Sequence, residues 1–583
     1  MFHFRARSVV GLAALMMTLD IEGHGLLASQ SDTPGGVWSV RTPVSAPSAS
    51  SAAPTPAASA AHVLNRLSYG PRPGEVDRVQ RLGIQAWIEQ QLHPERIDNG
   101  LLDTRVASFE TLTLDADTLF REYHQPAQLE RRQRQRENTA AREATSPNPN
   151  EPAPGRPRMA TASAAQRRDR QMITELEAAK VLRAVYSERQ LEEVLVDFWF
   201  NHFNVFAGKG PTRAYVTAFE RDAIRPYVLG DFRQMLEAVA KSPAMLFYLD
   251  NWMNTDPNAA ARMPQRGRTG NLGSRPAGRA NRRPQPSGPG QARPQQGPAQ
   301  PRPPRGINEN YARELLELHT LGVDGGYSQD DIVNVARAFT GWTFRPRQGA
   351  TFQFVPALHD SGRKTVLGHT IAAGGGQEDG RRVLDILVAH PSTARFIATK
   401  LAQKFVDDTP PEALVARAAR AFAETRGNLR EVTRIIVTSP EFLAPESYRA
   451  KVKTPLEFVA SALRATGADV RTALPLARSL RDLGMPLYFC QPPTGYDETA
   501  DTWVSSGALV ARMNFALELG GNRLRGVRLP GARTAATDSL REQLLATALA
   551  DDVSETTRAT LARATEAAQV VALAIGSPEF QRQ

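Results

Sequence analysis

The chain has 583 residues, of which 41% are hydrophobic and 7% aromatic. Such a length can bury one or two large cores without a structural metal, and the single cysteine, Cys490, excludes an intramolecular disulfide. The net charge is +10, but ten arginines and no Lys, Asp or Glu lie between Pro257 and Asn308. Because 10 − 10 = 0, the remaining chain is neutral, which argues against a nucleic-acid-binding domain.

Residues 1–28 predict a signal peptide. Arg5 and Arg7 precede the apolar segment Val9–Leu19, and "LLA" ending at Ala28 is a small-residue cleavage site. Arg-Ala-Arg is not a twin-arginine pair, so the general secretory route is favoured over the twin-arginine route. No other segment reaches the ~18 apolar residues of a spanning helix. The prediction is an exported protein, periplasmic or extracellular, without a transmembrane anchor; a cytosolic protein with a frayed N-terminal helix is the alternative.

Low-complexity segments divide the rest of the chain. Residues 29–60 form an Ala/Ser/Pro-rich linker, and 126–171 is a polar insert predicted to be a helix that frays into disorder. A second disordered insert, rich in Arg, Gly, Pro and Gln, covers 258–307. It has no aromatic residue to stack on bases, so it suits polyanions or anionic surfaces better than a specific nucleic acid. The two helical parts of the ordered chain are therefore predicted at 61–257 and 308–583.

Apolar residues at three- and four-residue steps predict helices through most of these two parts, beginning with His62–Leu67 and Glu75–Leu92. The exception follows Trp342, where Phe352 and Phe354 alternate with a polar residue. This alternation predicts a small β-hairpin or three-stranded flap near 340–368. The predicted fold class is mainly α: a multi-helix globular domain with this flap and two disordered inserts.

The stretch "NENYARELLELHTLGVDGGYSQDDIVNVARAFTGW", Asn308 to Trp342, has the highest density of residues that carry chemistry. Helix signals account for many of them. The predicted structural roles are an N-cap at Asn308, a buried stripe of Tyr311, Leu315 and Leu318, a helix end at Gly322, and a capping box of Ser328 with Asp331.

Four polar residues remain after those roles are assigned: Asn310, Arg313, Glu314 and Glu317, which are neighbours on one face of a regular helix. If the face is exposed, it is a solvated surface. If it lies in a cleft, Glu314 and Glu317 are candidates for acid/base chemistry or for holding a divalent metal with a third ligand from elsewhere. His319 points about 200° away from Glu317 on a regular helix and cannot join it at one ion.

Four further residues, in three motifs, are candidate site residues. His202 in "FWFNHFNVF" is interpreted as a core histidine rather than a ligand or base. His359 and Asp360 in "HDSGRKTVLG" suit a base or metal ligand at a loop mouth, and ordinary turn chemistry explains them equally well. Cys490 in "LYFCQPPTGY" is interpreted as a buried, inert thiol, with a reactive or ligating thiol as the alternative.

Six segments together resemble the bacterial exported family called domain of unknown function 1800. In chain order they are "HVLNRLSYGPRPGEVDRV", "FWFNHFNVF", the Asn308–Trp342 stretch, "HDSGRKTVLG", "KTPLEFV" and "CQPPTGY", and the resemblance extends from His62 to Phe580. It implies exported, mainly helical proteins, often encoded beside a second exported family, domain of unknown function 1501, and no settled activity. The family pattern rests on Asn308, Glu309, Asn310, Arg313, Glu314, Glu317, His319, Gly322, Trp342, His359 and Asp360.

Two functional hypotheses follow. The first is a metal-dependent hydrolase acting on an envelope or extracellular polymer. Its candidate catalytic residues are Glu314, Glu317, His359 and Asp360, and its candidate ligands for a divalent metal are Glu314, Glu317 and His359.

The second hypothesis is a non-catalytic scaffold or attachment protein. It would assemble with another exported protein, such as one of the domain of unknown function 1501 family, or with cell-surface polymer. In it, Asn308, Asn310, Arg313, His319 and His202 form a structural polar network. The hydrolase hypothesis requires the candidate side chains to converge in a concave pocket, whereas the scaffold hypothesis does not.

Overall fold

The computed structural model describes residues 55–144, 162–259, 306–345, 350–530 and 537–583. The signal peptide predicted at 1–28, nearly all of the predicted linker and most of the arginine-rich insert lie outside the described residues. Within them, none of the helices combines the length and the apolar character that a membrane crossing requires.

Helices dominate the described chain, which confirms the mainly α fold class. In the N-terminal part they are α1 (Pro56–Leu67), α2 (Glu75–Leu82), α3 (Ile84–Gln91), α4 (Gly100–Val106), α5 (Gln125–Ala144), α6 (Ala164–Tyr186), α7 (Gln190–His202), α8 (Thr212–Ala218), α9 (Phe232–Lys241) and α10 (Pro243–Tyr248).

The C-terminal part continues the same architecture. Its helices are α11 (Asn310–Glu314), α12 (Gln329–Ala338), α13 (Gln377–Ala389), α14 (Pro391–Phe405), α15 (Glu412–Glu424), α16 (Leu429–Val437), α17 (Pro455–Ala465), α18 (Leu474–Asp482), α19 (Ser506–Gly520), α20 (Thr537–Ala548), α21 (Glu555–Ala562) and α22 (Ala567–Gly576). Single helical turns also occur at Ala116–Thr118, Ala500–Trp503 and Pro578–Gln581. Short 3-10 turns lie at Pro94–Arg96, Glu110–Leu112, Arg225–Tyr227, Asn251–Met253, Pro356–Leu358 and Pro445–Ser447.

Strands form three separate antiparallel pairs in the described residues: β1 (Trp342–Phe344) with β2 (Phe352–Phe354), β3 (Lys364–Val366) with β4 (His369–Ile371), and β5 (Asp469–Val470) with β6 (Val527–Arg528). The hairpin predicted around Phe352 and Phe354 is confirmed, with Trp342 opposite Phe354. Of the two predicted alternatives, the two-stranded hairpin is the observed one, because β3 pairs with β4 and not with the first hairpin.

Three predicted helix boundaries differ for local reasons. Helix α1 begins at Pro56, inside the linker predicted at 29–60 and before the predicted start at His62, because the Thr55 side chain caps it and proline suits the first helical position. The helix predicted over Glu75–Leu92 is divided at Gly83, whose φ of 90° lies in the left-handed region that favours glycine. Helix α6 begins at Ala164, inside the insert predicted at 126–171. Ser163 and Gln166 cap it reciprocally, and such a capping box satisfies donors that would otherwise fray the helix end.

The helix after Asn308 is not regular. Helix α11 passes directly into a π-helical turn, Leu315–Thr320. The wider turn moves the buried positions along the chain, so His319 and Thr320 are buried whereas Leu318 is only half-buried. The predicted stripe is therefore right at Tyr311 and Leu315 and wrong at Leu318.

The predicted signals at the end of this segment are confirmed. Gly322 has a φ of 82° just beyond the π turn. The side chains of Ser328 and Asp331 cap the start of α12 reciprocally. Glycine and capping chemistry are local, which explains why the sequence alone located these two boundaries.

Three π-helical turns occur in the described chain: Leu119–His124, Phe219–Ile224 and Leu315–Thr320. Each places one histidine or glutamate side chain in the interior, namely His124, Glu220 and His319 respectively. Such turns are frequent at functional sites. The wider turn changes the direction in which the following side chains point. The buried polar clusters around these turns and around the β3–β4 hairpin are therefore the candidates for a functional site.

Candidate functional site

The exposed part of the central motif is a set of four side chains around Arg313, which we call the Arg313 face. The Arg313 guanidinium donates to Glu309 Oε2 at 3.4 Å, Glu317 Oε1 at 3.5 Å and Gln329 Oε1 at 3.2 Å. The Arg313 side chain is 39% exposed and Glu317 26%. These long contacts at the surface form a solvated network, in which each ion pair contributes ~0.2–0.5 kcal/mol.

Glu314 faces a more buried environment than the Arg313 face. Burial, and then the charge of Glu317, raise the pKa of Glu314. Burial, then Cys490 and then the Glu314 charge raise the pKa of Tyr248. Tyr248 in turn donates its hydroxyl to the carbonyl of Gln491 at 2.6 Å. Glu314 therefore lies where the central helix approaches α10 and the loop that carries Cys490.

The two asparagines of the motif tie α11 to the segment after α10. Asn308 Oδ1 accepts from the amide of Asn310 at 3.0 Å, but the N-cap of α11 is Glu309, so the predicted N-cap at Asn308 is one residue too early. Asn310 Nδ2 donates to the carbonyl of Leu249 at 3.2 Å, and Asn308 Nδ2 to that of Asp250 at 3.3 Å. Asn254 Oδ1 accepts from the Asn308 amide at 2.9 Å. Asn308 and Asn310 thus act as structural connections between segments distant in sequence.

His202 and His319 meet in the aromatic core. His202 Nε2 donates to the carbonyl of His319 at 3.1 Å, and the ring of His319 packs edge-on against Phe203. Burial lowers the pKa of His202 well below its usual value and that of His319 to about 3, so both stay neutral. The prediction that His202 is a core histidine is confirmed, since only 7% of it is exposed.

His359 belongs to a buried cluster under the second hairpin, which we call the Lys364 cluster: Lys364, Asp379, His359 and the backbone of Asp360 and Gly362. The Lys364 ammonium donates to Asp379 Oδ2 at 2.7 Å and to the carbonyls of Asp360 at 2.5 Å and Gly362 at 2.9 Å. His359 Nε2 lies 3.1 Å from the same Asp379 oxygen. The ammonium therefore occupies the position of a cation that the loop coordinates.

His359 has a second partner in this cluster, whereas the second oxygen of Asp379 has no hydrogen-bond partner in the described part of the chain. His359 Nδ1 lies 2.8 Å from the carbonyl of Thr340. The second oxygen of Asp379 fits against Gly375, where an added Cβ would lie only 2.1 Å from it. The glycine run "AGGGQEDG" thus makes room for a buried carboxylate.

Asp360 itself is an ion-paired turn residue. Its carboxylate accepts from Arg337 Nε at 2.8 Å and from the amide of Gly362, also at 2.8 Å. Burial acts to raise the pKa of Asp360, but these hydrogen bonds and the charge of Arg337 lower it. The turn interpretation of the sequence therefore describes its contacts.

The described residues contain no group of three or more His, Cys, Asp or Glu side chains placed to hold a metal ion. Glu314 and Glu317 are neighbours, one helical turn apart, and the Glu317 charge acts on Glu314. His359 instead contacts Asp379, and Asp360 is paired with Arg337. The four candidate catalytic residues thus fall into two groups rather than one site.

The loop of Cys490 is fixed by two asparagines of "FWFNHFNVF". Asn204 Nδ2 donates to the carbonyls of Cys490 at 3.0 Å and Pro492 at 2.7 Å. Asn201 exchanges two hydrogen bonds with the backbone of Tyr496, each 2.7 Å long. Burial raises the pKa of Cys490 to about 11, so the sulfur is a thiol rather than a thiolate at neutral pH.

Sequence reasoning missed a buried ion network beside this loop. The Lys180 ammonium lies 2.9 Å from Asp197 Oδ1 and 3.3 Å from Glu220 Oε2, and Tyr488 donates to the same Glu220 oxygen at 2.7 Å. Burial acts to raise the pKa of Glu220, but Lys180 and two arginines, Arg225 and Arg183, lower it to about 2. Asp197 immediately precedes the "FWFNHFNVF" motif, and this position was the sequence signal that could have pointed to the network.

The "KTPLEFV" motif holds another missed group. Lys453 Nζ lies 3.0 Å from Ser461 Oγ and 4.1 Å from the ring centre of Phe580. Burial lowers the pKa of Lys453 to about 7, although Glu457 acts in the opposite direction. Glu457 Oε1 accepts a hydrogen bond from Lys404 at 2.9 Å rather than from Lys453. Two buried lysines near one carboxylate thus have different partners.

A family model described as "Protein of unknown function (DUF1800)" matches residues 62–582. The chain therefore belongs to this family, as the six motif segments imply. Neither the curated proteins nor the solved structures compared with the chain contain a match. The family description carries no activity, so function rests on the clusters described above.

Proposed function

We propose that this family member is an exported, non-catalytic scaffold or attachment protein that assembles with another exported protein or with cell-surface polymer. One observation carries the proposal: most of the motif side chains that could perform chemistry are bonded to other protein groups. The Lys364 cluster is the clearest case, because an ammonium already fills the position of a bound cation. A metal or substrate would first have to displace a buried lysine from a carboxylate and two carbonyls.

The same logic applies to the other motifs. The neutral pair His202 and His319 connects two helices, and Asn204 fixes the loop of Cys490. Buried polar networks of this type rigidify a fold and define one arrangement of its helices, although His319 Nδ1 and Asp379 Oδ1 have no partner in the described residues. Such rigidity preorganises an assembly surface.

One observation favours the hydrolase as the second candidate. Glu314 has a raised pKa and lies one helical turn from Glu317, and paired carboxylates in different environments are typical of acid/base sites. The hydrolase proposal requires no metal at this place, since the pair could act as acid and base.

Elemental analysis and activity assays of the purified protein separate the two candidates. The scaffold proposal expects no stoichiometric metal, no change in Tm on adding divalent ions, and no turnover of ester, phosphoester or glycoside substrates. The same measurements on Glu314→Gln and Glu317→Gln provide the comparison. Turnover that disappears in Glu314→Gln while the protein stays folded would overturn the proposal.

Assembly and export have their own tests. A purified domain of unknown function 1501 protein encoded beside this chain is expected to form a stable complex with it, measured by light scattering after size-exclusion chromatography. If that partner and isolated cell-envelope polymer both fail to bind, the scaffold proposal is wrong. Fusing residues 1–60 to alkaline phosphatase tests export, since the enzyme becomes active only outside the reducing cytoplasm.

A further inference from the structure

A cleft of about 520 Å³ lies outside the motif segments, between α4, α6 and the segment joining β5 to α18. Its volume falls in the range of sites that hold small molecules. Its lining includes two arginines, Arg105 and Arg471, one carboxylate, Glu175, and apolar side chains of which Phe109, Leu182 and Leu474 are the largest. None of these residues takes part in the clusters described above.

The cleft has a surplus of positive charge at its β5 wall. Arg105 donates to the carbonyl of Val470 at 3.1 Å and to Asp469 Oδ1 at 3.2 Å. Arg471 reaches the other oxygen of Asp469 only at 3.7 Å, and its side chain is 62% exposed. One carboxylate therefore serves two guanidinium groups, and Arg471 is available to bind another anion.

A buried donor at the same wall lacks an acceptor. Arg105 is stacked on the ring of Tyr186, with its Cζ 3.9 Å from the ring centre, and its Nε has no hydrogen-bond partner in the part of the chain that the structure describes. Leaving a buried N–H unpaired costs ~1–3 kcal/mol, so the hydrogen-bonding capacity of the Arg105 guanidinium is not fully used by the described residues.

The other walls exclude further charge. Leu182 is buried, Phe109 half-buried and Leu474 49% exposed, so an apolar body bound there would be removed from water. Glu175, on the α6 wall, already accepts from the amide and hydroxyl of Thr111 at 2.9 and 2.6 Å. A second anionic group next to Glu175 would be repelled.

From this lining we infer that the cleft binds an amphipathic monocarboxylate, with its carboxylate at Arg471 and Arg105 and its apolar body against Phe109, Leu182 and Leu474. The ligand has one of two sources, which share this chemistry: a free aliphatic acid, or the terminal carboxylate of a peptide that ends in an apolar residue. The site is independent of the scaffold proposal, because it shares no residue with the motif clusters.

Isothermal titration of the full-length protein tests the inference with defined probes. Decanoate represents the free acid, and N-acetyl-leucine represents the peptide terminus. Three control probes differ in charge: decanol has none, decylammonium is positive, and decanedioate has a second carboxylate. Saturable binding is expected for decanoate, N-acetyl-leucine or both, and the tighter of the two identifies the source. Decanol, decylammonium and decanedioate are expected to bind at least tenfold more weakly.

Two variants of equal charge change localise the binding. Arg471→Glu should raise Kd at least tenfold, whereas Arg478→Glu, exposed on α18 and outside the lining, should leave it unchanged. Because Arg471 is largely exposed, the variant is expected to fold, and an unchanged Tm checks this. The inference is overturned if neither carboxylate binds, if decanol or decylammonium binds equally well, or if both variants behave as the wild type.

Discussion

The Lys364 cluster and the Arg313 face contain the same kinds of residue but lie in opposite environments. Lys364 and Asp379 are at most 1% exposed and meet at 2.7 Å, whereas Arg313 and Glu317 are 39% and 26% exposed and meet at 3.5 Å. Water screens the second pair and leaves it weak, while the first pair is removed from water and its ammonium is bonded to protein oxygens. Charged motif residues therefore differ in consequence according to burial rather than residue type.

Breaking the buried pair should have the largest effect. Lys364→Met leaves the Asp379 carboxylate buried beside two carbonyls that have lost their donor, and should lower the free energy of unfolding by ~3–5 kcal/mol in urea titrations. Lys364→Met with Asp379→Leu should recover part of this loss, because no charge then remains unpaired. Arg363→Met, at the exposed neighbouring position, is the control, with a change of less than ~0.5 kcal/mol. Equal effects of Lys364→Met and Arg363→Met would remove the distinction between the two regions.

A buried anion tests the same distinction with pH. The pKa of Glu220 falls from 4.5 to about 2 in the fold, so its stabilisation is present above pH 4.5 and disappears as pH falls through 2. Glu220→Gln should therefore lower stability at pH 7 by roughly 3 kcal/mol and reduce the loss of stability on acidification. Urea titrations at several acid pH values measure this difference. An unchanged pH profile would mean that Glu220 is not held by Lys180 and its arginines.

Lys453 is a buried cation without a carboxylate bond. Its pKa is lowered from 10.5 to about 7, so between these values the unfolded chain binds more protons than the fold. Stability should rise from pH 7 towards pH 10 by up to ~1.4 kcal/mol per pH unit from this group. Lys453→Met should abolish that rise and be more stable than the wild type at pH 6. A wild-type profile that is flat, or identical in Lys453→Met, would contradict the lowered pKa.

The Arg313 face should give the smallest effect. Arg313→Ala removes two long, solvated ion pairs and should cost only ~0.2–1 kcal/mol, and less at high salt. Urea titrations at low and high ionic strength measure this. A loss comparable to that of Lys364→Met would show that this face is covered in the native protein, for instance by a partner, and would move it to the buried side of the comparison.

Much of the fold could be predicted because its signals are local. The cap at Ser328, the left-handed Gly322 and the alternation of Phe352 and Phe354 each depend on a few neighbouring residues. The π turn at Leu315–Thr320 could not be predicted in this way. It has no local residue signature, so the buried stripe was misplaced at Leu318.

The sites were predictable only in part. His202 was placed in the core because its helical neighbours are apolar. His359 and Asp360 were singled out as candidates in "HDSGRKTVLG", but their contacts depend on Asp379 and Arg337. Lys364 in the same segment was overlooked. A lysine in a turn reads as solvated until a buried carboxylate is brought next to it.

The sequence by itself determined the family, the mainly α architecture and the ends of several helices, because motif order, periodicity and capping are written along the chain. Tertiary structure decided which polar residues are buried and with whom they pair. Tyr488 meets Glu220 across 268 positions, and Asn204 meets Cys490 across 286. The electrostatic strength of a charged group depends on the water it loses, and only packing between distant segments removes that water.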